Sequence, residues 1–474
     1  MTEGKSMFVG FDYGSANCAI GVMIDDAVSL LPLSTHSDFM PSTLYAMDRE
    51  LIAEAVYQGL PEHLKAEYSH LRSSQLMRAK LMRHELDLSP NEQAVFVGQA
   101  AIDAYLDMPE EGFYVRSPKS FLGANGLRVE QIALFEDIVT LMMQHVKTLA
   151  DKALNAKSLS SASHAVIGRP VNFQGIGGED SNQQAETILR LAATRSGFTD
   201  VRFLFEPLAA GMDFESNLSD DNTVLVVDVG GGTTDCSVVK MGPSYIKQQD
   251  RSPDCFGHSG QRIGGNDLDI ALAMTGLMPS FGADTLMING KPMPRTPFWN
   301  AVAVNDISAQ RDFVSLPSRK LVEQLIKEAQ QPELLVRLQK VQKNQMSYQV
   351  VREAEAAKIS LSDNDTIQCS LDFIEKGLLV PLTAAQFEQA INDPLAKVEA
   401  LMKQAMQTAT AKAEQQDCDM PTTPDIVYVT GGTARSPAIY NKIASVYPNA
   451  KVVVGDHFGS VTAGLTRCAQ SAFN

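Results

Sequence analysis

The sequence predicts an α/β fold built as two related lobes. Two stretches in opposite halves of the chain run from a β-branched strand into a carboxylate and a glycine turn. The first is Phe8-Val9-Gly10-Phe11-Asp12-Tyr13-Gly14-Ser15-Ala16-Asn17, and the second Val224-Leu225-Val226-Val227-Asp228-Val229-Gly230-Gly231-Gly232-Thr233. Strands alternate with helical segments from end to end, the pattern of helices packed on sheet faces. A length of 474 residues calls for two or more domains with large cores. In each stretch an Asp closes a buried strand where the chain must turn sharply and expose backbone N–H groups. Such a concave run of amides binds phosphate, because partial positive charges converge with no side chain in the way. Two of them, related as if by internal duplication, imply a nucleotide held between similar lobes with a carboxylate from each facing a metal.

The N-terminal lobe is expected over residues 1–222 and the C-terminal lobe over 223–474. Met7–Cys18 opens the first lobe, and Ala19–Ile24 reads as the returning strand of a hairpin. Residues 49–87 are helical in composition, interrupted by Pro61, and read as an inserted helical hairpin; its basic residues from Arg72 to Arg83 read as a solvated face. Ala94–Gly98 is a short strand, followed by a helix over 99–106. Val129–Leu154 is a long amphipathic helix, with Ile132, Phe135, Val139, Met142 and Val146 at helical spacing. Ala165–Pro170 is a strand, then come a glycine-rich loop, a helix over 180–197, and the strand end Phe203–Phe205 turning into a helix at Glu206.

The second lobe begins at about Thr223. Residues 276–318, rich in Pro, Gly, Met and Asn and holding the only tryptophan, Trp299, read as a loop-rich insertion. Long helices are expected over 319–361, broken at Pro332. Residues 371–382 read as strands and turns, and 383–415 as helix. The strand Ile426–Thr430 enters Gly431-Gly432-Thr433, and a final helix over 459–472 is expected to pack back.

Composition narrows the partners. A net charge of −16 argues against nucleic acid, whose phosphates demand a basic surface. The six cysteines are scattered with no C-x-x-C pair, the usage of a reducing compartment. No apolar run reaches the length of a bilayer span and Met1–Met7 carries no apolar signal segment, so a cytoplasmic protein without membrane contact is expected. The eight histidines show no zinc-ligand spacing.

Five separated motifs resemble the heat shock protein 70 family, DnaK-type members of the actin-like ATPase superfamily. They are Asp12-Tyr13-Gly14-Ser15-Ala16-Asn17, Val227–Asp235, Arg262-Ile263-Gly264-Gly265-Asn266-Asp267-Leu268-Asp269, Arg352–Ser362 and Val429–Pro437. Lys119-Ser120-Phe121-Leu122-Gly123 and Phe205–Ala210 are smaller echoes. The pattern looks closest to the YegD-like branch and covers nearly all of residues 7–470. The resemblance implies a two-lobed actin-like ATPase fold, with duplicated ribonuclease-H-like lobes and helical and loop insertions. It covers the ATPase domain alone, so no substrate-binding β-sandwich is expected, and peptide chaperoning is not expected.

By that resemblance the cofactors are ATP or ADP with Mg²⁺, and K⁺ as a monovalent cation. Gly14, Ser15, Ala16, Asn17 and Gly230–Thr233 would clamp the phosphates. Asp12 and Asp228 would hold Mg²⁺ through its waters, and Asp235 would assist a monovalent cation or the water network. Lys119 sits where the family has the lysine that positions the attacking water, Glu206 where it has a carboxylate at the lobe interface, and Thr233 adds a hydroxyl for the terminal phosphate. Pro170 resembles a proline that relays nucleotide state between lobes. Gly264, Gly265, Glu355, Lys358, Ser362, Gly431, Gly432, Thr433 and Arg435 match positions around the nucleoside. Three features depart from the family: Ile359 replaces an arginine over the base, Ser15-Ala16 replaces two threonines, and 456–460 lacks the family's Asn-Pro-Asp. The implied function is a slowly hydrolysing, ATP-driven conformational switch with an unidentified protein partner. A small-molecule kinase and an actin-like polymer or scaffold are the alternatives on the same fold.

Overall fold

The apolar run Phe8–Phe11 and its counterpart Val224–Val227 each form the middle of a five-membered strand order, buried on both faces as such runs require. The computed structural model describes residues 7–35, 37–108, 111–124, 127–171, 173, 178–246, 248, 251–418, 420–455 and 459–473. In the first sheet, strands run in the order 27–30, 17–24, 7–13, 162–169, 200–205, with 40–41 added on 17–24. In the second the order is 255–261, 234–241, 222–229, 426–430, 451–454. Orientations also match: the first two pairings of each sheet are antiparallel and the last two parallel. The two sheets are therefore copies of one topology. Asp12 and Asp228 fall at the same place, one residue before the end of the central strand.

Two helices cross between the copies. Helix Glu206–Glu215, which follows the last strand of the first sheet, packs on the second: a Cβ on Gly211 would sit 2.0 Å from Met241 Cε. Helix Ser460–Phe473 packs on the first sheet, where a Cβ on Gly10 would lie 2.2 Å from the Thr466 nitrogen. The two meet at Gly464, whose added Cβ would be 1.9 Å from the Ala209 carbonyl oxygen. Val166, Leu208, Val224, Ile426 and Leu465 form the apolar cluster joining both sheets at this base.

The insertions stand above the sheets. Strands 95–97, 43–46 and 113–116 make a small antiparallel sheet flanked by helices 52–59, 62–71, 73–85 and 99–107. The basic face of this hairpin is not simply solvated. Arg72 is buried, donating to Asp137 Oδ2 at 2.9 Å and Glu136 Oε2 at 2.5 Å, while Arg78 and Arg83 pair with Glu50 and Glu54. The acids that pair with Arg72 come from helix Val129–Ala156, distant in sequence, so local composition did not show them.

Residues 276–318 are largely helical rather than loop-rich, with helices Thr296–Val302, Ile307–Val314 and the start of Leu316–Glu328. Two of the prolines, with an Asp and a Ser, mark helix starts. Pro297 and Pro317 occupy first-turn positions, Asp306 accepts from Ser308 N and Ala309 N, and Ser315 accepts from Ser318 N. Residues 319–361 divide into three helices, the second opening at Pro332 and the third following Gln345 at φ 50°.

The Arg72 pairs yield a prediction. Arg72→Ala leaves buried Asp137 with Tyr68 and with Arg195, 3.5 Å away, as its one remaining cation among the described residues. Removing one partner of a buried pair costs about 3–5 kcal/mol. Urea unfolding should show a loss of that size, and a change below about 1 kcal/mol would mean that the pair is dispensable.

Candidate functional site

The two Asp-glycine turns face each other across a cleft of about 510 Å³. Each turn is tight for a stated reason. A Cβ on Gly14 would fall 2.3 Å from Asn17 O, and Gly230 N donates to Thr233 O at 2.9 Å. The turns also touch: a Cβ on Gly231 would come 2.6 Å from Ala16 Cβ, so the methyl that replaces a hydroxyl at Ala16 packs against the second loop. Asp12, Gly14, Ser15, Ala16 and Asn17 line the cleft from one sheet, and Asp228, Gly230, Gly231 and Thr233 from the other. Gly431, Gly432 and Thr433 enter from the strand Ile426–Thr430. Gly431 has φ 90°, and a Cβ there would meet Val229 O at 2.4 Å and Asp228 Oδ1 at 2.6 Å, so only glycine fits.

Gly232, Gly264, Asp235 and Lys119 lie behind this lining. Gly265 N and Asn266 N donate to the carbonyls of Gly230 and Gly231 at 2.9 and 2.7 Å, so the start of helix Gly265–Leu272 braces the second loop. Gly264 packs under that loop, with its N–H on Asp267 Oδ2, whereas Gly265 reaches the cleft. A Cβ on Gly232 would meet Ser120 Oγ at 2.5 Å, which seats the loop on the short helix Pro118–Phe121 that carries Lys119.

Lys119 and Glu206 form a buried ion pair. Glu206 is the first residue of its helix and faces the cleft. Around this pair stand Asp12, Asp228 and Asp235. Burial, with Glu206 as the next cause, pushes Asp12 up to about 8 and Asp228 up to about 7, and raises Asp235 above the usual carboxylate range. For Lys119 burial alone would lower the pKa, but Glu206 and Asp12 hold it above its ordinary value. One ammonium thus faces four carboxylates, and Asp235 Oδ1 is buried without a hydrogen-bond partner among the described residues. That surplus fits a bound cation. Among the described residues no group of three or more His, Cys, Asp or Glu is arranged to hold a metal directly. Carboxylate oxygens are the donors that a hard cation such as Mg²⁺ takes.

Glu355, Lys358 and Ser362 line the cleft from helix Ser347–Ser360 and the turn after it. Two are held by residues that sequence reasoning missed. Lys358 pairs with buried Asp269 at 2.6 Å, and Glu355 with Arg116 at 2.8 Å. Asp269 was visible as the last residue of the Gly-Gly-Asn-Asp-Leu-Asp segment; Arg116 carried no signal. Burial raises Asp269 to about 6 despite Lys358. Thr433 Oγ1 donates to Gly230 O at 3.1 Å, and Ile359 is exposed at the cleft edge. Pro170 is buried at the end of its strand. The side chain of Arg435 and residues 456–458 lie outside the described residues.

Comparison with known proteins agrees with this geometry. The family model described as Hsp70 protein matches residues 127–283 and 318–454, more than half of the chain. A chaperone protein dnaK of Cyanidioschyzon merolae is 22% identical over 477 residues, covering 96% of this chain and 61% of its own length. A chaperone protein dnaK of Emiliania huxleyi is 25% identical over 408 residues, covering 78% of this chain and 53% of its own. The chain thus spans little more than half the length of these relatives. No described helix is long and apolar enough to cross a membrane.

The carboxylate cluster sets a pH dependence. A carboxyl whose folded pKa lies above its unfolded value binds its proton more tightly when folded, so stability falls as pH rises between the two values. In protein stripped of divalent cations, the melting temperature should drop from the ordinary carboxylate range through about 7 and about 8. Asp12→Asn should flatten that slope. An unchanged slope in the variant would show that Asp12 is ionised throughout.

Proposed function

This chain belongs to the Hsp70 protein family, and we propose that it binds ATP with Mg²⁺ in the cleft, hydrolyses it slowly, and works as a nucleotide-driven conformational switch on a protein partner. The observation that carries this reading is the pairing of two equivalent Asp-glycine turns, one per sheet, in contact through Gly231 and Ala16.

In this reading the backbone amides of Gly14–Asn17 and Gly230–Thr233 cradle the β- and γ-phosphates. Asp12 and Asp228 hold Mg²⁺ through waters, and Asp235 assists a monovalent cation or the water network. The metal, when bound, offsets phosphate charge. Thr233 and Ser15 offer hydroxyls to the terminal phosphate. Lys119, fixed by Glu206, orients a water and steadies charge on the transferring group, since phosphoryl transfer leaves the protein little covalent work. Glu206 keeps that ammonium in place and is suited to accept a proton. Gly265, Glu355, Lys358, Ser362 and Gly431–Thr433 receive the nucleoside, with Arg435 nearby in sequence. The partner responds to closure of the lobes on ATP and loosening on ADP. The dnaK relatives are chaperone proteins by name, which supports a chaperone-like role.

Two variants separate binding from turnover. Lys119→Ala should keep MgATP affinity within a few-fold and slow single-turnover hydrolysis about a hundredfold, the scale seen when one charge-stabilising donor is lost. Gly231→Val should instead abolish binding, because its side chain forces the two loops apart. Hydrolysis at the parental rate in Lys119→Ala would remove that lysine from the mechanism.

A further inference from the structure

Beside the main cleft lies a second cavity, of about 170 Å³, walled by residues from both halves of the chain. Its floor is shared with the cleft through Ala16, Asn17 and Glu355. One wall is aromatic. Tyr105 and Tyr114 stack with centroids 4.4 Å apart, and Tyr348 stands edge-on to them at 5.7 and 5.1 Å. Ile102, Leu106 and Pro41 add apolar surface.

The polar groups here are nearly all donors. Arg116 gives one bond to Glu355. Arg352 lines the cavity with no ion pair or hydrogen bond among the described residues. The hydroxyls of Tyr105 and Tyr348 are spent on the carbonyls of Gln345 and Val304. The Tyr114 hydroxyl has no hydrogen bond among the described residues, and both guanidiniums act on it electrostatically against the effect of burial. Within the cavity lining two guanidiniums thus stand against one carboxylate, already paired with Arg116, while Asp269 and Glu353 act on Arg116 and Arg352 from outside it.

We propose that this cavity is a second ligand site, for a small molecule that carries an oxyanion on a flat or apolar body. The oxyanion is a carboxylate or a phosphate monoester, set between Arg116, Arg352 and the Tyr114 hydroxyl. Guanidinium forks suit either one. The ring lies against the tyrosines. A volume below the roughly 300 Å³ of drug-sized sites limits the ligand to a fragment with a single ring. Tyr105, Tyr114 and Arg116 come from helix 99–107 and strand 113–116 of the N-terminal half, and Tyr348, Arg352 and Glu355 from helix Ser347–Ser360 of the C-terminal half. An occupant therefore bridges the lobes and slows nucleotide release, a consequence that rests on the nucleotide reading above.

The test is ligand-observed saturation-transfer NMR on the full chain without nucleotide, using benzoate and phenyl phosphate, with benzamide as the uncharged control. At least one acid should bind about tenfold tighter than benzamide, and the tighter acid identifies the oxyanion. Arg352→Gln, at an exposed helix position, should cost that same factor. Ile102→Trp should abolish binding by filling the cavity, with melting curves checking that both variants fold. Benzamide binding as well as the acids, or acid binding unchanged in both variants, overturns the site; phenyl phosphate surviving in both is binding at the main phosphate loops and counts against it. With the site occupied, a fluorescent ADP should leave several-fold more slowly. Unchanged release from protein shown to bind both ligands overturns the bridging alone, whereas absence of ADP binding is a failure of the nucleotide reading.

Discussion

The contact on which the architecture depends is the one between Gly464 and the carbonyl of Ala209. Two helices, each lent by one half of the chain to the other half's sheet, approach so closely there that a single methyl would lie 1.9 Å from an oxygen. Close backbone approach of this kind requires glycine. It fixes the base of both sheets together, and Leu208, Leu465 and Val166 pack around it. With the bases fixed, the ends of the two central strands must face one another, and Asp12 and Asp228 with them. The pairing of the two Asp-glycine turns is thus a consequence of helix exchange rather than a separate feature.

What the cleft then contains is an electrostatic imbalance. Asp12, Asp228 and Asp235 converge beside Glu206 where desolvation disfavours the charged forms of the three aspartates, and Lys119 pairs directly with Glu206 alone. A folded chain tolerates such a cluster by holding protons or by binding cations. Under the function proposed above, the carboxylates would meet the cation of a metal-bound polyphosphate and the backbone amides its phosphates. Helix Glu206–Glu215 is clamped at its other end as well, where Arg251 forms a two-pronged pair with Glu215 at 2.7 and 3.0 Å. Glu206 therefore stands at the end of a helix held along its length.

The parts legible in the sequence are those whose chemistry is local. A strand ending in Asp and a glycine turn is written in consecutive residues, so both turns and the strands beside them could be read directly. Lys119 and Glu206, 87 residues apart, became legible only through the family resemblance of their short settings. Asp269 and Arg116 were missed because their roles are set by partners on other elements. The stretch 276–318 was misread because Pro marks helix starts as readily as loops, as at Pro297 and Pro317, and only the chain that follows decides between them. The burial of Arg72 was hidden for the same reason, since its acids lie on a helix more than sixty residues away. Helix exchange left no local trace, because the surface that a helix covers is a property of the fold.

Hydrogen exchange on the intact chain, with and without MgATP, tests the central claim most directly. If a nucleotide is clamped between paired loops, the amides of residues 14–17 and 230–233 gain protection together, at one nucleotide concentration. Protection of only one loop, or of neither, would contradict a site shared by the two lobes.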